Sequence, residues 1–263
     1  YAANMAQFTN KKYDAIVTGG FLMTDATTAA AKANPTTRFI GVDQGYDATK
    51  VTEKNITGLI FPEDQAGYGA GYLAGLLTKT NKLGQVLGLE IPPVQKFAKG
   101  FEAGAKAANP KVTVTTVYHP AGDNAFADPV WGAQQAKTQL TQGADVIFGA
   151  GGNTGNGALQ EVAKDAAAGK DKFCIGVDTD QWDTVPAAQK CLVTSAMKLI
   201  SLGVTDLVTK AKDADFGGLQ SMGKAGLAPY HAFDSVVPAD VKTKVADIVK
   251  QMEAGTLQTG VTL

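Results

Sequence analysis

The sequence predicts an α/β protein of two similar, Rossmann-like lobes, each a mainly parallel sheet flanked by helices. Three observations predict it. First, Tyr13–Asp47 (YDAIVTGGF…RFIGVDQGYD) and, about 130 positions later, Ala144–Asp183 (ADVIFGAGG…FCIGVDTDQWD) follow one plan. Each is an apolar run, a glycine turn, an Ala-rich stretch and a second apolar run ending in Gly-Val-Asp. Second, strand-like and helix-like segments alternate along the chain, as they do where parallel strands are joined by crossover helices. Third, 263 residues with 44% hydrophobic and 19% charged side chains can fill two cores.

The elements follow in order. Residues 1–11 read as the end of a helix, and Tyr13–Thr18 as a strand closed by the Gly19-Gly20 turn. Asp25–Ala33 is a helix started by Thr24 and stopped by Asn34-Pro35. Arg38–Val42 and Thr57–Phe61 are strands. Gln65–Thr78 (with GYGAGYLAGLL) is a helix whose glycines suit close packing on a neighbouring element. The second lobe's sheet begins at Leu83–Leu89. Val94–Ala108 has helical spacing and ends at Asn109-Pro110. Val112–Tyr118 alternates as a strand, and His119–Asp128 is a polar loop. Val130–Gln142 is a helix with Gly143 at its C-cap. Asp145–Phe148 is a strand, and Gly155–Ala168 a helix. Cys174–Val177 and Leu192–Ser195 are strands, Lys198–Lys212 an amphipathic helix, Leu227–Val237 strand-like, and Pro238–Glu253 a helix capped by Gly255. The expected division gives residues 1–62 and 196–263 to the first lobe and 63–195 to the second. The second copy of the repeat has a run-up, Gly84–Trp131, without a counterpart in the first. The expectation is a first lobe that lacks its N-terminal strand, helix and strand.

A net charge of −1 without a basic stripe argues against nucleic acid as a partner. No apolar run approaches the about 20 residues of a membrane span. Cys174 and Cys191 each open a strand; if those strands are neighbours a disulfide can form, and otherwise both are buried thiols. Two distant histidines and two cysteines do not make a zinc site.

Ligands of such sheets bind beyond the carboxyl ends of the strands. There the repeat places Asp43 and Asp178. A carboxylate pair can do acid–base chemistry, accept hydrogen bonds from sugar hydroxyls, or cap the next turn; the absence of a nearby nucleophile in the sequence favours the second. The loop GAGGNTGNG (Gly149–Gly157) follows a strand and opens a helix, where phosphates are cradled. It is no P-loop, since no Lys-Ser/Thr follows, and Thr154 breaks the dinucleotide pattern. Its glycines serve either close approach to a ligand or a tight turn. Phe126, in NAFADP, is either a staple onto the next helix or a platform for a planar ligand, worth about 1–3 kcal/mol per stacked base. Trp182 invites the same two readings. Lys198 either reaches ligand hydroxyls from a crossover between lobes or is a solvated helix start. Tyr68, Tyr72 and Phe97 read as core. No Gly-x-Ser-x-Gly elbow and no His-Glu-x-x-His occurs.

In the order YDAIVTGGF, EDQAGYGAGYLAG, FAKGFEAGAKAANP, AFADP followed by Gly132, GADVIFGAGGNTGNG, IGVDTDQ and TSAMK, the chain resembles the basic membrane protein family of solute-binding lipoproteins, the nucleoside receptors of bacterial ABC importers. The resemblance spans most of Tyr13 to Lys198. It implies a type I periplasmic-binding-protein fold and a purine nucleoside such as adenosine, guanosine or inosine held between two lobes. It implies that Phe126 stacks on the base, that Asp178 and Lys198 bind the ribose, that Gly152 allows close approach, and that Asp43 lies near the base. Trp182 has no counterpart in the family pattern, and the family's first-lobe aromatic belongs to an Asp-x-x-Phe-Asn segment not found in this sequence. The functional expectation is therefore an extracytoplasmic receptor, periplasmic or lipid-anchored. It would be a monomer that needs no cofactor, closes about a hinge and delivers to a membrane permease. The alternatives are a nucleoside-processing or dinucleotide-dependent enzyme, or a ligand sensor on the same fold.

Overall fold

A computed structural model describes residues 1–167, 171–212, 216 and 218–263. The chain forms two compact units, 1–62 with 199–224 and 63–198 with 225–263.

The first unit has four parallel strands, β1 (Ala15–Gly19), β2 (Arg38–Val42), β3 (Ile56–Ile60) and β9 (Gln220–Met222), in the order β1-β2-β3-β9. Helices α1 (Ala2–Thr9) and α2 (Thr24–Ala33) cover one face through Met5, Ala30 and Ala31 against Ile16 and Phe39. Helix α7 (Ile200–Lys210) covers the other through Leu207 against Ile40 and Leu59. A parallel sheet buried on both faces requires apolar runs such as Phe39–Val42, which is wholly buried.

The second unit has six strands in the order β10-β8-β7-β6-β4-β5: β4 (Lys82–Leu87), β5 (Thr113–Tyr118), β6 (Val146–Ala150), β7 (Phe173–Asp178), β8 (Leu192–Lys198) and β10 (Ala225–Leu227). All are parallel except β10, which pairs antiparallel with β8. One face carries α3 (Glu63–Leu77), α4 (Pro92–Ala108) and α8 (Ala239–Glu253), whose Leu73, Phe101 and Val245 meet Phe148 and Ile175. The other carries α5 (Pro129–Thr141) and α6 (Asn153–Ala167), with Ala136, Leu159 and Val162 against Ile147 and Cys174. The proposed end of α6 at Ala168 lies outside the described residues. Cys174 and Cys191 are joined by a disulfide that ties the start of β7 to the start of β8.

The glycines of α3 meet α4. A Cβ at Gly67 would lie 2.4 Å from the Phe97 carbonyl oxygen, and one at Gly71 would lie 1.9 Å from that of Phe101. Gly100 and Gly104 return the arrangement against Asp64 and Tyr68. Backbone thus packs on backbone along the α3–α4 seam.

Two expectations are corrected. Residues 225–263, assigned to the first lobe with 196–198, belong to the second unit. The reason is local: β10 adds to β8, and α8 buries Val241 and Val245 in the core that α3 and α4 build. The strand-like stretch Leu227–Val237 is a strand only to Leu227; Pro229 cannot donate to a ladder, and a short 3-10 turn follows at His231–Phe233. No helix among the described residues is long and apolar enough to cross a membrane.

Candidate functional site

The second unit gathers five of the six expected site residues on its own elements. Asp178 is the last residue of β7, and Lys198 the last of β8. Parallel pairing sets Asp178 opposite Met197, so the two ends are adjacent. Lys198 Nζ lies 3.0 Å from Asp178 Oδ1 and 5.4 Å from the centroid of the Phe97 ring. The lysine side chain is 4% exposed and the aspartate 44%. The cation is therefore held in place below, while the carboxylate keeps access for further hydrogen bonds, a charge-assisted arrangement suited to hydroxyl groups. Lys198 is not the solvated start of a helix.

Asp178 has φ 67°, and Asp43, just past β2 in the first unit, has φ 61°. The left-handed region is uncommon for a residue with a Cβ, and Asp is among those that enter it. The repeat thus preserves a backbone turn as well as a carboxylate. The residues behind the two aspartates match too. Gly176 leaves room for the Gln181 side chain, whose oxygen would lie 2.4 Å from a Cβ there; Gly41 does the same for Gln44 at 2.5 Å. Gln44 Nε2 donates to Thr18 Oγ1 and to the Gly20 carbonyl, and the Tyr46 hydroxyl donates to Gln44 Oε1. Burial pushes the Tyr46 hydroxyl well above its ordinary pKa, which keeps it a donor. Gln181 Oε1 accepts the Val177 N–H, and its Nε2 donates to Asn156 Oδ1.

Phe126, half-buried, lies in the loop between β5 and α5. Its ring rests on Gly88, where a Cβ would come within 2.3 Å of it. Its carbonyl accepts the Asn153 N–H at 2.9 Å. Gly152, exposed with φ 56°, would bring a Cβ to 2.9 Å from that same carbonyl. Glycine is needed here for both reasons. Thr154 Oγ1 anchors the loop by donating to the Ala125 carbonyl and accepting the Asp128 N–H.

Trp182 is placed differently. Its ring stacks on His231, with centroids 4.7 Å apart and planes at 14°, and packs on the core that holds the disulfide. His231 Nε2 lies 2.7 Å from Asp180 Oδ2. Asp43 belongs to the other unit; its N–H donates to the Leu59 carbonyl. Sequence reasoning missed Gly88, Gln181, Asn153 and Asn156. It also read Phe97 as core alone: the ring is buried, with an edge toward Phe148, yet it also faces the Lys198 ammonium. A glutamine after each Gly-Val-Asp was the available signal.

The chain is similar to known proteins along most of its length. The "CD4+ T-cell-stimulating antigen" of Listeria monocytogenes is 35% identical over 226 residues, covering 83% of this chain and 61% of the relative. The "ABC transporter nucleoside-binding protein BmpA" of Lactococcus lactis subsp. cremoris is 32% identical over 228 residues, covering 83% of this chain and 62% of the relative. The chain thus spans about three fifths of the length of these curated relatives. A crystal structure of an ABC transporter solute-binding protein from Aeropyrum pernix K1 superposes with a TM-score of 0.79 at 21% identity, over 98% of this chain and 81% of that one. That likeness shows the fold, the type I periplasmic-binding-protein architecture. The family model for PnrA-like ABC transporter substrate-binding proteins, the Bmp family, matches residues 1–222. By that match the chain belongs to the Bmp family of PnrA-like ABC transporter substrate-binding proteins.

Proposed function

We propose that the protein is the extracytoplasmic solute receptor of an ABC importer, periplasmic or lipid-anchored, and that it binds a purine nucleoside, as a monomer and without chemical conversion, for a membrane permease. The observation that carries the reading is the Asp178–Lys198 pair at adjacent strand ends, with the Phe126 ring held on Gly88 beside Gly152. A carboxylate with a fixed ammonium behind it suits the vicinal hydroxyls of ribose. A half-buried ring on a glycine floor suits a purine. The printed name of the Lactococcus relative, a nucleoside-binding protein, supports the same ligand. Asp43 keeps the role that the resemblance implies, near the base, and hinge closure is the accompanying mechanism.

Calorimetric titration with adenosine, guanosine and inosine tests the proposal. At least one is expected to bind. Asp178→Ala is expected to weaken the nucleoside more than the corresponding free base. Equal losses would remove Asp178 from the ribose, and failure of all three nucleosides to bind would end the nucleoside reading.

A further inference from the structure

A chain of three side-chain amides runs from the strand end of β7 to Asn153, the first residue of α6 and the neighbour of Gly152, and its direction is fixed. It starts at the Val177 N–H, which can only donate. That bond, at 2.9 Å, makes the inner atom of Gln181 its oxygen. The outer atom is then the nitrogen, which donates to Asn156 Oδ1 at 2.8 Å. Asn156 in turn donates through Nδ2 to Asn153 Oδ1 at 3.2 Å. Each amide passes the same polarity on, so the far end of the chain is the Nδ2 group of Asn153, a donor. Among the described residues it meets no acceptor, and Asn153 is exposed.

The place of Asn153 is equally constrained. Its own N–H donates to the Phe126 carbonyl, which ties it to the aromatic. Through Asn156 and Gln181 it is tied to the residue before Asp178. Asn153 therefore bridges the platform proposed for the base and the carboxylate proposed for the sugar.

Granted the nucleoside reading above, on which it rests, we infer that the Asn153 side chain is a specificity-determining donor, and that it serves the acceptor at the base–sugar junction of the purine, ring nitrogen N3. On this inference a base on Phe126 and a ribose on Asp178 would span the two points to which Asn153 is tied, and N3 is the ring acceptor next to the base–sugar junction. The role of Gln181 and Asn156 is positional: they hold the amide with its nitrogen outward. The arrangement selects for a ring acceptor at this edge and against a ring C–H there, because a donor facing C–H stays unpaired.

The test compares adenosine with 3-deazaadenosine, in which N3 is replaced by C–H, with 7-deazaadenosine as a control. If adenosine does not bind, the guanosine series is used. The wild-type protein is expected to prefer the parent nucleoside over its 3-deaza analogue by about 3- to 10-fold, the size of one hydrogen bond. Asn153→Ala should bring that ratio near one and leave the 7-deaza ratio unchanged. Gln181→Glu lies two amides further from the ligand than Asn153 and is the sharper variant. Its carboxylate still accepts the Val177 N–H but cannot donate to Asn156, so Asn156 and then Asn153 reverse, and an oxygen faces the ligand. The 3-deaza preference should vanish there as well, in a protein whose melting curve shows it folded. Equal wild-type binding of parent and 3-deaza analogue would overturn the inference while leaving the nucleoside reading intact. So would a ratio that persists in Asn153→Ala; the amide would then serve the surface hollow that Asn153 and Asn156 border with Pro129 and Pro186. Binding of no purine nucleoside would overturn both.

Discussion

Asp128 does two things at the start of α5. Its Oδ1 accepts the Trp131 N–H at 2.9 Å, and its Oδ2 lies 3.5 Å from His119 Nε2. The Trp131 hydrogen bond and then His119 hold its carboxyl below the usual carboxylate range. A depressed pKa contributes stability above the ordinary value, and that contribution is lost as pH falls through the folded value. Asp128→Asn keeps a capping oxygen but no titrating charge. The wild-type protein is therefore expected to melt higher than the variant at about pH 6, and the gap should close toward about pH 3, in thermal melts monitored by circular dichroism. At this scale the sequence was partly readable. Duplication of Gly-Val-Asp picked out Asp43 and Asp178, because a repeated residue at a strand end survives averaging over context. The surroundings of Trp182 were not readable, because an aromatic in a loop carries no mark of its partner, and here the ring stacks on His231, some fifty positions away in sequence.

The seam between α3 and α4 shows what an element-level pattern can and cannot say. Gly67, Gly71 and Gly75 recur every fourth residue, so they share a helix face, and the sequence predicted a close neighbour. It did not name α4, since the complementary Gly100 and Gly104 have meaning only once the helices are adjacent. Gly71→Ala would set a Cβ 1.9 Å from the Phe101 carbonyl, which rigid backbone cannot absorb locally. We expect a loss of about 1–3 kcal/mol in urea unfolding, the range for overpacking. Gly226→Ala, where a Cβ meets nothing within 4 Å, should be close to neutral. Helix α8 gives the complementary lesson. Its amphipathic period made the helix legible, but a stripe of Val241, Val245 and Met252 fits the face of either sheet. The three-residue strands β9 and β10 were too short for periodicity to reveal at their true bounds.

For the whole molecule, the alternation of strands and helices made the two-unit α/β architecture legible, and the repeat located two carboxylates at the carboxyl ends of strands. The route of the chain between units was not legible, because it depends on which sheet edge accepts a three-residue strand. The Cys174–Cys191 disulfide belongs to one unit only, and its sequence separation is 17. A loop of that size is worth about 3 kcal/mol in the chain-entropy account. Replacing both cysteines by serine should lower the denaturant midpoint of the second unit and leave the first unit's transition in place. Hydrogen exchange resolved by peptide would separate the two.

The return of residues 225–263 to the second unit bears on how the protein could be instrumented. Under the division expected from sequence, residues 1 and 263 ride on the same lobe, and a pair of fluorophores attached there would keep a constant separation whatever the ligand did. In the structure residue 1 rides with the first unit and residue 263 with the second, the unit that carries Phe126, Asp178 and Lys198. Energy transfer between dyes at these two positions should therefore change on saturation with a bound nucleoside, and an unchanged signal would count against hinge closure. The same fold that hides its wiring from the sequence thus makes residues 1 and 263 a ready-made pair of positions for an optical readout.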